Sequence, residues 1–204
     1  RSVLMAAYAY YSQMYFNDAI FELKRFLDKY KNHPNTDYAY YLLAVSHYNQ
    51  IVDEKKDLGE IIKAREYFKL LVKNFPNTDF AEDAYFKLEL IAEILASKEL
   101  YLANYYLDRE KWIPAMNRYK TIVSDYDTTI FIEEALYRLV ELNYKLGLEG
   151  EAKKYTAILG YNYQSSEWYE QSYKIVNTNY EKPKIEQDLN KQKSLLKRFK
   201  DLLK

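Results

Sequence analysis

Residues 115–127 read AMNRYKTIVSDYD, a helical run of small and aromatic residues that carries one arginine, Arg118, which the surrounding pattern does not require. Ala115 lies twelve positions after Ala103, and Tyr119 and Ile122 follow it at +4 and +7, on one helical face. A small residue on one helix and another twelve later is the spacing of a tetratricopeptide (TPR)-like unit, two antiparallel helices that meet at their small residues. The spacing recurs from Ala7 to Ala19, followed by Leu23 and Phe26, and from Val140 to Ala152, followed by Thr156 and Leu159. A fourth copy runs from Ala44 to Ala64, then Phe68 and Leu71, with about eight extra residues around VDEKKDLGE that read as a longer loop or as extra helical turns.

The ends of the units match as well. KNHPNTD (31–37), NFPNTD (74–79) and SDYDTT (124–129) each follow a second helix. Pro34 and Pro76 stop a helix, and Asn or Asp with Thr is expected to cap the next one. With only four glycines and four prolines, few turns demand special backbone angles, which favours helices over hairpins. The expected fold is all-α, a TPR-like α-solenoid over 1–177 with repeats at about 1–34, 35–78, 79–129 and 130–165 and then a short helix. Residues 79–107 lack glycine and proline and read as one long helix, with a kink near Ala96–Ser97 as the alternative. Residues 178–204 read as a polar break and a basic amphipathic helix with Leu189, Leu196, Phe199 and Leu203 on one face. Its two readings are a cap on the last repeat and a partner-binding or surface-adsorbing helix.

Bulk properties exclude several classes. Lys+Arg and Asp+Glu both number 30, so no general excess of positive charge suits a polyanion. The absence of cysteine excludes disulfides and thiolate metal sites within this chain. No apolar run reaches 18 residues, and the first residues have no signal-peptide plan. Catalytic signatures are missing, and neither a cofactor nor a metal is expected. His33 is expected in a solvated turn and His47 in a buried, hydrogen-bonded position on a first helix; Glu133–Glu134 and Glu82–Asp83 suit helix starts.

What remains is binding surface. Tyr8, Tyr11, Tyr38, Tyr41 and Tyr48 are expected on the groove side of the first helices, where stiff rings with polar tips suit peptide recognition. The other reading is that tyrosine stands in for leucine in a chain with 24 tyrosines. Val3, Ala6, Tyr10, Tyr40, Leu43, Leu102, Tyr106, Leu136 and Leu139 are expected on the buried side. Arg118 should point off the packed face, to a partner's carboxylate or to an ion pair with Asp125 or Glu110.

Several blocks carry a more specific resemblance. RSVLMAAYAYY, HPNTDYAYYLLAVSHYNQI, KELYLANYYLDREKWIPAMNRYKTIVSDYDTT and LGYNYQSSEWY, in this order over about residues 1–175, resemble the BamD family, its alphaproteobacterial members in particular. That family comprises the TPR-repeat lipoproteins of the bacterial outer-membrane β-barrel assembly machinery. The resemblance implies a non-enzymatic scaffold on the periplasmic side of the outer membrane, lipid-anchored through an N-terminal cysteine. It implies binding to POTRA domains of BamA, the barrel-forming subunit, with Asn117 and Arg118 of the NR motif at that contact. It further implies that the tyrosine-lined first repeats receive segments of unfolded outer-membrane proteins. The lipidated cysteine and the repeat that precedes the RSVLMAAYAYY block in the family are not in this chain, which is expected to be a piece with its front removed. The basic tail from Lys182 matches no family block. The alternative is another periplasmic or cytoplasmic TPR adaptor that binds peptide segments of envelope or cell-division proteins.

Overall fold

A computed structural model describes residues 2–50 and 58–177. Among the described residues the chain is all-α and TPR-like. The helices are α1 (Ser2–Ser12), α2 (Phe16–Lys29), α3 (Thr36–Tyr48), α4 (Gly59–Asn74), α5 (Asp79–Leu107), α6 (Trp112–Asp125), α7 (Ile132–Lys145), α8 (Glu149–Asn162) and α9 (Glu167–Val176). α5 is one continuous helix of 29 residues, about 43 Å long. The chain forms two compact units, divided between Ala135 and Leu136. Most of the extra stretch around VDEKKDLGE, and the whole of 178–204, lie outside the described residues.

In the first unit each helix packs on the next, from α1 through α6. The small residues explain the close approach. Ala7, Ala19, Ala44, Ala64, Ala103 and Ala115 are all fully buried, and so are Val140 and Ala152 in the second unit. A methyl side chain at a helix crossing lets the larger neighbours interlock beside it. Those neighbours are Leu23, Phe26, Phe68, Leu71, Tyr119 and Ile122, all buried. Tyr10 differs from expectation. It is exposed, because α1 meets α2 through Leu4 and Ala7 instead.

Second helices end alike. Tyr30, Phe75, Tyr126 and Tyr163 are the C-cap residues of α2, α4, α6 and α8, and each donates its backbone N–H to the carbonyl four residues back. Three threonines then close the turn between repeats. The Thr36, Thr78 and Thr129 hydroxyls donate to the carbonyls of His33, Phe75 and Tyr126, three residues earlier, at 2.6, 3.0 and 2.7 Å. Thr78 also accepts from Ala81 N–H and so caps α5, whereas Asn35 makes no side-chain cap for α3. Threonine is thus the recurrent element of the PNTD device.

The turns inside the pairs share a different geometry. Met14, Glu110 and Gly147 all have positive φ, at 63°, 56° and 77°. The next residue in each case, Tyr15, Lys111 or Leu148, donates to a carbonyl five residues back, the Schellman closure of a helix. Glycine adopts this conformation without a Cβ clash; methionine and glutamate do not. Met14 and Glu110 are exposed, so little packing is lost with their side chains. Met14→Gly and Glu110→Gly are each expected to stabilise the fold by ~0.5–1 kcal/mol, net of the glycine's greater unfolded-state freedom. An unchanged or lower midpoint in urea would show that the strain is absorbed elsewhere.

Candidate protein-binding surfaces

The α5–α6 seam is built around Tyr119. Its ring is fully buried and its hydroxyl donates to Asn104 Oδ1 on α5 at 2.5 Å. One residue earlier, Arg118 stands at the edge of the same seam, with 41% of its side chain exposed. Its Nη1 bonds both carboxylate oxygens of Glu99, at 3.1 and 3.3 Å. The pair is therefore with Glu99 on α5 and not with Asp125 or Glu110. The reason is the antiparallel crossing: stepping back four residues from Ala103 and forward three from Ala115 reaches the same side of the seam. Asn117 is exposed beside it on α6, and its carbonyl accepts from Thr121 Oγ1. Ile113, one turn nearer the start of α6, is also exposed. The result is a cation fixed on its inner edge, next to polar and apolar surface.

The five tyrosines divide. Tyr8 is exposed and Tyr38 half-buried, and both line a cavity of about 350 Å³ with Leu4, Met5, His33 and Asn35. His33 is less solvated than expected: its ring packs edge-on to Phe26 at 5.2 Å, and Nδ1 accepts from Asn35 N–H. Nε2 then carries the proton when the ring is neutral. Tyr38 and Tyr41 both lean on Phe80 of α5, with ring centroids 5.3 and 5.2 Å apart. Burial pushes the Tyr38 hydroxyl pKa up, with the neighbouring Tyr8 and Tyr11 adding to it. Tyr41 donates to Asp83 at 2.8 Å, and burial together with that bond raises its pKa strongly. Tyr11 is half-buried and accepts from Asn49 Nδ2. Tyr48 is half-buried against the α3–α4–α5 core, with Lys87 over its ring. It sits about 15 Å along α3 from Tyr38. Tyr8 and Tyr38 thus share one concave site, while Tyr11, Tyr41 and Tyr48 also tie helices together.

His47 lies inside this frame. It is 2% exposed, stacks on Tyr67 at 5.5 Å and places Nδ1 2.5 Å from Glu60 Oε2. Its Nε2 is buried without a bonded partner among the described residues. Burial holds the His47 pKa below the usual histidine value; the Glu60 bond opposes this, while Lys24 and Lys63 add to it. The unfolded chain therefore binds the proton more readily than the folded one. The stability involved is present above about pH 6.5 and is lost as pH falls through the depressed folded pKa. His47→Gln is expected to flatten the stability–pH curve in that window; an unchanged slope in urea titrations from pH 7.5 to 5 would assign the effect to another group. Glu82 lies in the first turn of α5, and Glu133 and Glu134 in that of α7. Among the described residues no group of three or more His, Asp or Glu side chains could hold a metal ion, and no helix is long and apolar enough to cross a membrane.

The family described as the outer membrane lipoprotein YfiO matches residues 1–159. The chain belongs to the YfiO family. Among curated YfiO-family relatives it is 36% identical over 186 residues to the outer membrane protein assembly factor BamD of Caulobacter vibrioides, covering 91% of this chain and 61% of that protein. It is 38% identical over 178 residues to BamD of Rickettsia prowazekii, covering 87% of this chain and 70% of that protein. BamD of Neisseria gonorrhoeae is 34% identical over 155 residues. The chain therefore spans less than two thirds of the length of the Caulobacter relative. The YfiO match takes in Arg118, Asn117 and all five tyrosines and stops within α8, so α9 lies beyond it.

Glu99 and Asn104 were not legible as site residues from local sequence. The signal that could have found them is the antiparallel register about Ala103 and Ala115, which brings Glu99 to Arg118 and Asn104 to Tyr119.

Proposed function

We propose that this chain is a non-enzymatic scaffold of the outer-membrane β-barrel assembly machinery, docking a POTRA domain of BamA through the α6 surface around Asn117 and Arg118. The observation that carries the reading is the Arg118 guanidinium: half-exposed, held from one side by Glu99, and lying in the stretch matched by the YfiO family. A partner carboxylate can approach its outer edge without breaking the inner pair, the arrangement in which arginine contributes most at an interface. The names of the BamD relatives support the assembly role. The family's description as an outer membrane lipoprotein supports a place at the periplasmic face of the outer membrane.

On the same reading, the cavity of Tyr8 and Tyr38 receives segments of unfolded outer-membrane proteins. Rigid aromatic walls with polar tips bind extended chains with little loss of side-chain freedom. The test is titration of this chain with the POTRA region of BamA, and separately with peptides from outer-membrane proteins. One-to-one POTRA binding is expected. Tyr8→Ala should leave POTRA binding unchanged and weaken peptide binding by about tenfold, since truncating a contact aromatic costs ~1–2 kcal/mol. Absence of POTRA binding by the folded wild-type chain would sink the scaffold assignment, and unchanged peptide binding by Tyr8→Ala would sink the cavity assignment.

A further inference from the structure

The turns that follow second helices repeat one position. His33, Phe75 and Tyr126 each give a carbonyl to the threonine three residues on, Thr36, Thr78 or Thr129. Phe75 and Tyr126 pack their rings against the core of α3, α4 and α5. His33 packs likewise, edge-on to Phe26. A hydrocarbon ring meets the packing need at this position, as Phe75 does in the same proline–asparagine–threonine setting. The imidazole therefore adds something that packing does not call for.

Every polar group of His33 but one is engaged. Its backbone N–H donates to the Tyr30 carbonyl at 3.1 Å, and its carbonyl accepts from Thr36 N–H and Oγ1 at 3.0 and 2.6 Å. Nδ1 accepts from Asn35 N–H at 3.1 Å, which leaves the proton of the neutral ring on Nε2. Among the described residues no group accepts from Nε2. The ring is half-buried and lines the cavity of Leu4, Met5, Tyr8 and Tyr38. With Nδ1 turned into its own loop, it offers that cavity an N–H edge. The Tyr8 and Tyr38 hydroxyls can rotate their protons aside, whereas this N–H is fixed in direction by the Asn35 bond and the Phe26 ring.

A fixed donor in a mostly hydrocarbon cavity calls for an acceptor brought in by the ligand. An extended polypeptide brings one at every residue, its main-chain carbonyl. We propose that His33 Nε2–H donates to the main-chain carbonyl beside the side chain seated in the cavity, so that the site reads unpaired backbone together with one large apolar side chain. The proposal rests on the peptide reading of the cavity. A residue paired on both sides in a sheet has its carbonyl already engaged. The contact thus admits an unfolded strand and turns away a folded one.

The probe is a short, end-capped peptide from an outer-membrane protein strand with one central phenylalanine. In a second version the amide after that phenylalanine is an ester, which makes its carbonyl a weaker acceptor; in a third the ester lies near one end. Calorimetric titration of the full chain reads the affinities. The wild-type protein is expected to bind the central ester about fivefold more weakly, the scale of one hydrogen bond, and the end ester less than about twofold more weakly. His33→Phe, which copies the ring of Phe75, should bind the amide peptide about fivefold more weakly and no longer distinguish the central ester. His33→Gln sets an N–H near the place of Nε2 and should recover part of the discrimination, with circular dichroism confirming both folds. Nuclear magnetic resonance of the wild-type imidazole gives an answer without substitution: exchange of the Nε2 proton should slow on binding the amide peptide. A central-ester loss as large in His33→Phe as in the wild type would overturn the carbonyl contact and leave the peptide role of the cavity standing. So would a wild-type protein that binds both esters as it binds the amide, or an Nε2 proton whose exchange is unchanged at saturation. No binding of any peptide by the folded wild-type chain would remove the cavity reading and this contact together.

Discussion

Arg118→Glu is expected to weaken binding to a BamA POTRA domain by at least about 30-fold, with the helical content unchanged. The size follows from removing one partner of a desolvated, hydrogen-bonded charge pair, which costs ~2–5 kcal/mol. The reversed charge would also stand against Glu99, whose side chain is only 17% exposed. The fold itself loses little, because the Arg118–Glu99 pair is part-exposed and contributes at most ~1 kcal/mol. Arg118→Gln separates the two effects: it deletes the cation without adding repulsion and should lose about tenfold. Glu99→Gln keeps the cation and frees its inner edge, so it should change affinity by less than about threefold. A folded Arg118→Glu protein with wild-type affinity would remove α6 from the interface, whatever the other variants do.

Tyr119→Ala is expected to cost ~3–5 kcal/mol of stability, among the largest losses from a single truncation in this chain. Among the described residues Tyr119 is the largest of the fully buried side chains, and its hydroxyl bonds Asn104 across the α5–α6 seam. Tyr119→Phe keeps the ring and removes the hydroxyl with its bond to Asn104, and should cost ~1 kcal/mol. Urea denaturation followed by circular dichroism reads both. If the two variants lose equally, the hydroxyl bond rather than the packed ring holds the seam. Tyr119→Ala should also lower POTRA affinity in proportion to the loosened α6, since Arg118 is the next residue in the chain.

Much of the fold was legible because its determinants are local. The requirement for a small residue at each helix crossing is a matter of size, and Ala7, Ala19, Ala103 and Ala115 show it in the sequence as plainly as in the core. The left-handed turns were not legible, since Met14 and Glu110 occupy the place where glycine signals the conformation at 147. Tyr10 was assigned to the buried side from periodicity, which gives a face but not what covers it. The candidate surfaces were half legible. Arg118 stood out as a residue the pattern did not need, but its partner Glu99 is 19 positions away and emerges only from the crossing of two helices. The tyrosines were legible as a set, yet their division depends on particular neighbours: Asp83 and Phe80 engage Tyr41, whereas Tyr8 is left exposed beside its cavity.

The turns have a kinetic consequence. The α1–α2, α5–α6 and α7–α8 pairs each carry their own closure, at Met14, Glu110 and Gly147, and three of the junctions after second helices carry theirs, at Thr36, Thr78 and Thr129. None of these needs a residue distant in the chain. A helix pair can therefore form as soon as its own thirty or so residues are available, and each finished pair offers a surface on which the next can form. Folding need not wait for the far end of the polypeptide, so a chain that emerges progressively from a translocation pore can acquire its structure in the order in which it arrives.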